Sequence, residues 1–207
     1  MGVHTAYDFV QLNDHWVRSR MSVVGLRLKH DLLGTPMINL EEVQSKKNIA
    51  TTRTFEKNYT NFDDVKERVT TFAVSCAEKL RKQKSCCSAL MVFVFTNWHR
   101  HDLPQYSKNI VLKLPFPTNS SIELSQFATQ ALEKIFKPGY NYKKAGVIVM
   151  DFVPENMIQR TLFKNSNPKH TTLMQTIDKL NASFGQQKIR LGAQDLKRVW
   201  KMRQERL

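Results

Sequence analysis

From residue 48 to residue 153 the sequence switches repeatedly between extended and helical periodicity, which leaves few folds open to it. Four runs rich in β-branched and aromatic residues predict strands, at residues 48–55, 88–97, 108–116 and 143–153. Apolar stripes of helical spacing predict helices at 61–84 and 120–139. The order β-α-β-β-α-β predicts an α+β domain whose four-stranded antiparallel sheet carries both helices on one face and leaves the other face free.

Local signals mark the ends of both helices. Asn61 and Ser120 stand where N-terminal caps are expected, and Pro138-Gly139 follows the second helix as a stop signal. The apolar stripes consist of Val65, Val69, Phe72, Cys76 and Leu80 in the first helix and of Leu124, Phe127, Leu132 and Ile135 in the second. Each helix therefore has one face to bury against the sheet.

The segments that flank this domain are smaller. A helical stripe over residues 1–42 predicts two short helices that meet around Ser22 to Gly25, and Gly34-Thr35-Pro36 ends the pattern. These two helices cannot bury a core alone, so we expect the rest of their domain to lie outside this sequence. We also expect Met1-Gly2 to be a cloning remnant that does not belong to the natural protein. A polar linker at 165–169 precedes a mostly helical C-terminal region, with an amphipathic helix at 171–185, a short strand at 188–192 and a basic helix at 193–207.

Charge is the most informative part of the composition. Thirty-two Lys and Arg against eighteen Asp and Glu give a formal net charge of +14, and ten basic residues stand against three acidic ones from Lys164 onward. Such a field attracts polyanions and favours binding to nucleic acid phosphates. The alternative is a solvated basic surface that serves solubility alone.

Other compositional features exclude several classes of protein. No run of about 18 apolar residues occurs, and the N-terminus lacks a secretory pattern. Cys76, Cys86 and Cys87 are odd in number and form no CxxC motif, which is typical of a reducing cytosol. We therefore expect a cytoplasmic protein with no membrane partner.

The sequence offers no convincing catalytic constellation. Asp63-Asp64 begins a helix while Asp102 and Asp151 stand alone, so no set of carboxylates indicates a divalent-metal centre. His99 and His101 could face one side of the chain, but a third ligand at suitable spacing is missing. Neither a Gly-rich phosphate loop nor a GxSxG elbow is present. We predict that this chain has no catalytic residues, metal site or cofactor of its own.

Basic and hydroxyl residues gather at the ends of the predicted strands and are candidates for contact with DNA phosphates. The candidate DNA-binding residues are Lys46, Lys47, Thr51, Thr52, Arg53, Ser107, Lys108, Asn109, Lys143 and Lys144. We expect these clusters to lie along one exposed surface of the sheet. Alternatively, each Lys or Arg is a solubilising residue beside a strand.

Several blocks of the sequence together resemble the C-terminal part of the UmuC branch of Y-family translesion DNA polymerases. They are KKNIATTRTF, AEKLRKQ, QYSKNIVLKL, PGYNYKKAGVIVMDFVP, QRTLF, LMQTIDKLNASFGQQKIRLGAQ and WKMRQERL, in family order over nearly the whole chain. The resemblance implies that residues 1–42 end the helical thumb, 43–47 form a linker and 48–156 form the little finger, which binds DNA in the major groove. It also implies a clamp-binding segment and linker at 157–169 and a UmuC-type C-terminal region at 170–207.

The segment Gln159, Arg160, Thr161, Leu162 and Phe163 resembles the pentapeptide by which family members bind the bacterial sliding clamp. In that motif Gln makes polar contacts and the Leu-Phe pair fills an apolar pocket. Arg160 departs from the family, where an apolar residue is more usual. The alternative is that Leu162 and Phe163 fold back onto the little finger as a local apolar plug.

The resemblance also implies partners and a biological role. Full-length relatives would be magnesium-dependent polymerases of SOS mutagenesis and DNA repair, nucleoid-associated when active, whose palm and fingers this sequence lacks. Expected partners are primer-template or damaged DNA, the sliding clamp, the processed UmuD-type accessory subunit and the RecA filament. Two alternatives stay open: a non-catalytic clamp-binding adaptor, and an RNA-binding module, which would use Phe93 and Phe95 on one face of their strand for base stacking.

Overall fold

The computed structural model describes residues 2–38, 45–159, 165–185 and 187–196. These residues form two compact units, one that ends before residue 45 and one from Ser45 onward. The predicted helix over 193–207 lies mostly outside the described residues, and its described part, 193–196, forms turns and bends instead of a helix.

The first unit contains helices α1 (Ala6–Val10) and α2 (Asp14–Leu32). The side chains of Thr5 and Asn13 cap their N-termini, and Ser22 interrupts α2 with a φ of 60°, within the segment where the sequence predicts a break. Many large apolar side chains of this unit are exposed, among them Tyr7, Met21, Val23, Val24, Leu28, Leu32 and Leu33.

The second unit holds the predicted sheet. Its strands are β1 (Ile49–Tyr59), β2 (Ser85–Thr96), β3 (Ser107–Thr118) and β4 (Tyr142–Pro154). They pair in the order β1-β4-β2-β3, and all three pairings are antiparallel. Helix α3 (Phe62–Lys82) connects β1 to β2, and α4 (Ser121–Ile135) connects β3 to β4. The predicted α+β class and the β-α-β-β-α-β order are confirmed.

Both helices pack against one face of the sheet, because their apolar stripes are buried there together with alternate strand residues. Val65, Val69, Phe72 and Leu80 of α3 belong to the same core as Leu90, Val92 and Val94 of β2, Val147 and Val149 of β4, and Leu124 and Leu132 of α4. The predicted caps are present, since Asn61 accepts a hydrogen bond from the Asp63 amide and Ser120 accepts one from the Glu123 amide.

Helix α5 (Pro168–Phe184) covers the predicted amphipathic segment but begins three residues before it, within the predicted linker; it is capped by Asn167 and ends at Gly185. It is anchored to α3 by Arg81, which donates two hydrogen bonds to the Asp178 carboxylate at 2.6 and 2.7 Å. It is anchored to α4 by the buried Glu123, which contacts His170 Nδ1 at 3.1 Å and accepts from the Asn167 amide at 3.0 Å. The start of the C-terminal region is therefore attached to the helical layer.

The predicted strand at 188–192 is wrong. Ile189 satisfies both of its backbone groups with the side-chain amide of Asn181, at 2.8 and 3.0 Å, instead of with another strand. Arg190 donates to the carbonyls of Gln187, Asp195 and Leu196 and holds the segment as a turn. A single side-chain amide thus supplies the hydrogen bonds that a neighbouring strand would otherwise make.

Candidate nucleic-acid interface

The strand register defines which residues share the face of the sheet opposite to α3 and α4, here called the open face. Directly paired residues of antiparallel strands point to the same face, and Gly146 of β4 pairs with Thr52 on one side and Phe93 on the other. Following this register across all four strands gives the residues of the open face: Ala50, Thr52, Thr54, Ala89, Met91, Phe93, Phe95, Ser107, Asn109, Val111, Lys113, Lys144, Gly146, Ile148 and Met150.

The open face is cationic. Lys144 and Lys113 carry charge on it, and none of the fifteen described positions just named is acidic. Thr52, Thr54, Ser107 and Asn109 add hydroxyl and amide groups that can donate to phosphate oxygens. The open face can therefore attract a polyanion, because none of these fifteen residues carries a negative charge that would repel it.

An aromatic layer occupies one part of the open face. A Cβ at Gly146 would lie 2.5 Å from the Phe93 ring, so the absence of a side chain there lets this ring lie close against β4. Phe95 stacks on Phe93 with ring centroids 4.8 Å apart, and Trp98 meets Phe95 edge-on at 6.2 Å. Phe93 is 7% exposed, whereas Trp98 is 65% exposed. The layer is thus buried at its base and open at its outer end.

Four of the ten predicted DNA-binding residues are brought together on the open face. Lys144 lies between Thr54 and Phe95 in one row across the sheet, and Ser107 ends that row on β3. Thr52 and Asn109 lie in the next row, which passes through Gly146 and Phe93.

The other predicted residues do not all join them. Thr51, Arg53 and Lys108 point to the helical side of the sheet: Thr51 accepts a hydrogen bond from Lys79 Nζ of α3 at 3.1 Å, while Arg53 and Lys108 are exposed on the two edge strands. The expectation that all clusters lie on one surface is therefore met only in part, because adjacent strand residues alternate between faces.

Lys46, Lys47 and Lys143 lie elsewhere. Lys46 and Lys47 precede β1 at the end of the sheet opposite to Lys144, and the Gln83 side chain fixes the Lys46 backbone through two hydrogen bonds of 3.1 and 3.0 Å. Lys143 lies at an irregularity of β4, where its Nζ donates to the Glu56 carbonyl at 3.3 Å. These three residues therefore lie near the ends of strands and do not form a cluster with Lys144 on the open face.

Of the predicted clamp-binding segment, only Gln159 belongs to the described residues, and it is exposed. Gln159 follows a short 3-10 turn at Glu155–Met157 that ends β4. Arg160, Thr161, Leu162 and Phe163 lie outside the described residues.

Metal-ligand clusters and reactive thiols are both missing among the described residues. Among them, no group of three or more His, Cys, Asp or Glu side chains could hold a metal ion. Burial raises the pKa of the Cys76 and Cys87 thiols and raises that of Cys86 to about 12, so all three thiols are protonated and poorly nucleophilic at neutral pH. Within the same described part, no helix has the length and apolar character needed to cross a bilayer.

The described residues from Ser45 onward thus form a β-α-β-β-α-β domain whose open sheet face is cationic. A short C-terminal region is attached to the helical layer of this domain. The chain belongs to the impB/mucB/samB family: residues 46–162 match the C-terminal domain of that family. Residues 171–207 match a second domain, DUF4113, whose function is unknown.

Curated relatives match over the whole chain. The chain is 34% identical to Protein ImpB of Salmonella typhimurium, 31% identical to Protein SamB and 30% identical to Protein UmuC of the same species. These alignments cover 100% of the chain but only 49–50% of each relative. The chain thus spans about half the length of the curated relatives it matches, and the UmuC-type resemblance of the sequence is confirmed.

Proposed function

We propose that this chain is the DNA-gripping C-terminal part of an error-prone translesion DNA polymerase that acts in SOS mutagenesis and DNA repair. The observation that carries the proposal is the open sheet face, where Lys113 and Lys144 and several hydroxyl and amide groups lie on a surface without acidic side chains. Membership of the impB/mucB/samB family supports this assignment.

The proposed mode of binding is contact with the phosphate backbone. Lysine, hydroxyl and amide groups bind phosphate oxygens irrespective of base sequence, which suits an enzyme that must accept distorted templates. In this role the chain supplies affinity and positioning, while synthesis and its magnesium ions belong to the palm of the full-length protein.

Further partners follow from the same proposal. Residues 159–163 would tether the polymerase to the bacterial sliding clamp, with Leu162 and Phe163 inserted into an apolar pocket. Burial of two such side chains contributes about 3–6 kcal/mol before ordering costs, which is part of the roughly 8 kcal/mol that micromolar affinity requires. The polar contacts of Gln159 would have to supply the rest. The processed UmuD-type accessory subunit and the RecA filament would bind the full-length protein in the cytoplasm, at the nucleoid.

Fluorescence anisotropy with a primer-template duplex tests the DNA-binding role. We compare Lys113→Glu with Lys144→Glu on the open face against Lys82→Glu with Lys134→Glu, two exposed lysines of α3 and α4. Both double variants change the net charge equally, so only the position of the charges differs. We expect the open-face variant to lose at least about tenfold in affinity and to reduce the salt slope by about two, since each phosphate contact contributes about 0.9. Equal losses in both variants, or DNA affinity independent of salt, would refute the proposal.

The clamp-binding role is tested separately, with the double variant Leu162→Ala, Phe163→Ala. Calorimetry should show that clamp binding is lost, while anisotropy shows unchanged affinity for DNA. Retained clamp affinity would reject the site. A fall in melting temperature with clamp affinity retained would instead support the local apolar plug.

A further inference from the structure

Trp98 is an exposed aromatic residue in a loop that is held rigidly. Three loop carbonyls, those of Asn97, Arg100 and Leu103, accept hydrogen bonds from the Gln105 side-chain amide at 3.2, 2.8 and 3.1 Å. Gln105 Oε1 in turn accepts a hydrogen bond from the Thr96 hydroxyl at 2.8 Å. The indole is thus presented to solvent on a fixed backbone, which lowers the ordering cost of any contact it makes.

The ring system behind Trp98 is continuous with the sheet. Phe93 lies against Gly146, Phe95 stacks on Phe93 and Trp98 meets the edge of Phe95, so three aromatic rings lead from the buried strand to the exposed loop. Trp98 leaves about two thirds of its surface, most of it an apolar indole face, exposed at the outer end of these rings. The arrangement therefore points to a ligand with a planar face.

A positive charge beside the aromatic rings indicates which class of planar ligand they would bind. Lys144 is the direct cross-strand partner of Phe95, so a cationic side chain stands beside the aromatic layer. No acidic residue shares the described open face with them. A nucleotide combines a flat base with an adjacent phosphate, and single-stranded DNA is bound elsewhere by this combination of aromatic stacking and basic groups.

We infer that the aromatic platform, defined as Phe93, Phe95 and Trp98, stacks an unpaired base of single-stranded DNA while Lys144 contacts its phosphate. The inference rests on the proposed DNA-binding function and specifies the strand state of the DNA. Inside a duplex both faces of each base are covered by its neighbours, so apart from the terminal base pairs only an unpaired base can offer a face to Trp98. The platform would hold the unpaired strand beside the duplex that the same sheet grips.

Anisotropy with oligo(dT) and with a duplex of equal length tests the inference on the 207-residue chain. Trp98→Leu should weaken binding to oligo(dT) about tenfold, because stacking on one aromatic ring is lost. Binding to the duplex should change less than about twofold, and the salt slope for oligo(dT) should stay the same because phosphate contacts are kept. Trp98→Tyr should restore most of the affinity for oligo(dT), since it retains a ring.

Phe184→Leu is the matched control, because Phe184 is an aromatic residue that is 69% exposed at the end of α5 and does not belong to the open face. It should leave both affinities unchanged. The platform would be overturned if Trp98→Leu weakened binding to both DNAs equally or to neither, or if Trp98→Tyr failed to restore binding to oligo(dT). In each of these cases, salt-dependent binding to the duplex would still uphold the proposed function. Absence of any salt-dependent DNA binding by the unaltered chain would overturn both.

Discussion

Gly146 shows how one residue shapes the candidate interface. A Cβ at this position would lie 2.5 Å from Phe93 Cζ and 2.5 Å from Thr52 Cγ2, closer than side-chain carbon atoms normally approach. Glycine in a strand usually costs about 0.5–1 kcal/mol relative to alanine because of its backbone entropy. Its presence in the centre of the sheet therefore reflects the space that the Phe93 ring occupies.

We predict that Gly146→Ala destabilises the protein, because overpacking of about 1–3 kcal/mol exceeds the entropic gain of alanine. Urea denaturation measures the effect. Gly192→Ala is the control, since a Cβ at Gly192 would meet no atom within 4 Å, and it should be neutral or slightly stabilising. A Gly146→Ala variant as stable as the control would show that Phe93 does not need this space.

The structural roles of some single residues could be predicted from the sequence, and those of others could not. The caps Asn61 and Ser120 could be predicted because capping is local and the helix begins within three residues of the cap. The pairing of Phe93 and Phe95 on one face also follows from strand alternation. The role of Gly146 could not be predicted, because it depends on which strand lies next to β2, and the sequence does not specify the order β1-β4-β2-β3.

Helix α5 is held to α3 and α4 by polar anchors. Arg81 links it to α3, and the same guanidinium donates to the Asn119 carbonyl at 2.7 Å and to the Ser121 hydroxyl at 3.0 Å. The Arg81 side chain is 10% exposed and that of Asp178 is 35% exposed. Removal of a charge partner in such a partly buried site leaves the other charge poorly solvated.

We predict that a double-mutant cycle of Arg81→Ala and Asp178→Ala gives a coupling free energy of about 1–2 kcal/mol in urea denaturation. The control cycle uses Arg100→Ala and Asp102→Ala, a pair with equally short bidentate bonds of 2.7 and 2.6 Å in an exposed loop. Solvent screening should leave no measurable coupling in that cycle. Similar coupling energies in the two cycles would contradict a special role of Arg81 in holding α5.

Helices and strands could be predicted from the sequence where the hydrophobic periodicity of the segment itself determines its structure. The stripes of α3 and α4 and the β-prone runs of the sheet need no distant partner to be visible in the sequence. The attachment of α5 to the helical layer was not visible, because Arg81 and Asp178 are 97 residues apart and either could be an ordinary surface charge. The prediction of a strand at 188–192 is wrong for a related reason, since the Asn181 side chain hydrogen-bonds both backbone groups of Ile189 and no local pattern in the sequence indicates that contact.

At the scale of the whole molecule, charge is the dominant property. The net charge of +14 is spread over 207 residues, and basic residues exceed acidic ones by nearly two to one. Self-repulsion opposes the compact state, while the same field attracts DNA. Salt screens both effects, so it should act on stability and on DNA binding in opposite directions.

We predict that raising NaCl from about 20 mM to about 300 mM increases the melting temperature while it lowers the affinity for DNA. Relief of about 1 kcal/mol of repulsion corresponds to about 2–4 °C in a chain of this size. Scanning calorimetry measures the shift, and NaCl is chosen because sulfate would also strengthen apolar burial. The Lys82→Glu, Lys134→Glu variant, whose net charge is lower by four, should gain less from salt than the unaltered chain. A melting temperature that falls with NaCl, or an equal gain in both proteins, would show that repulsion among the basic residues does not limit the stability of the fold.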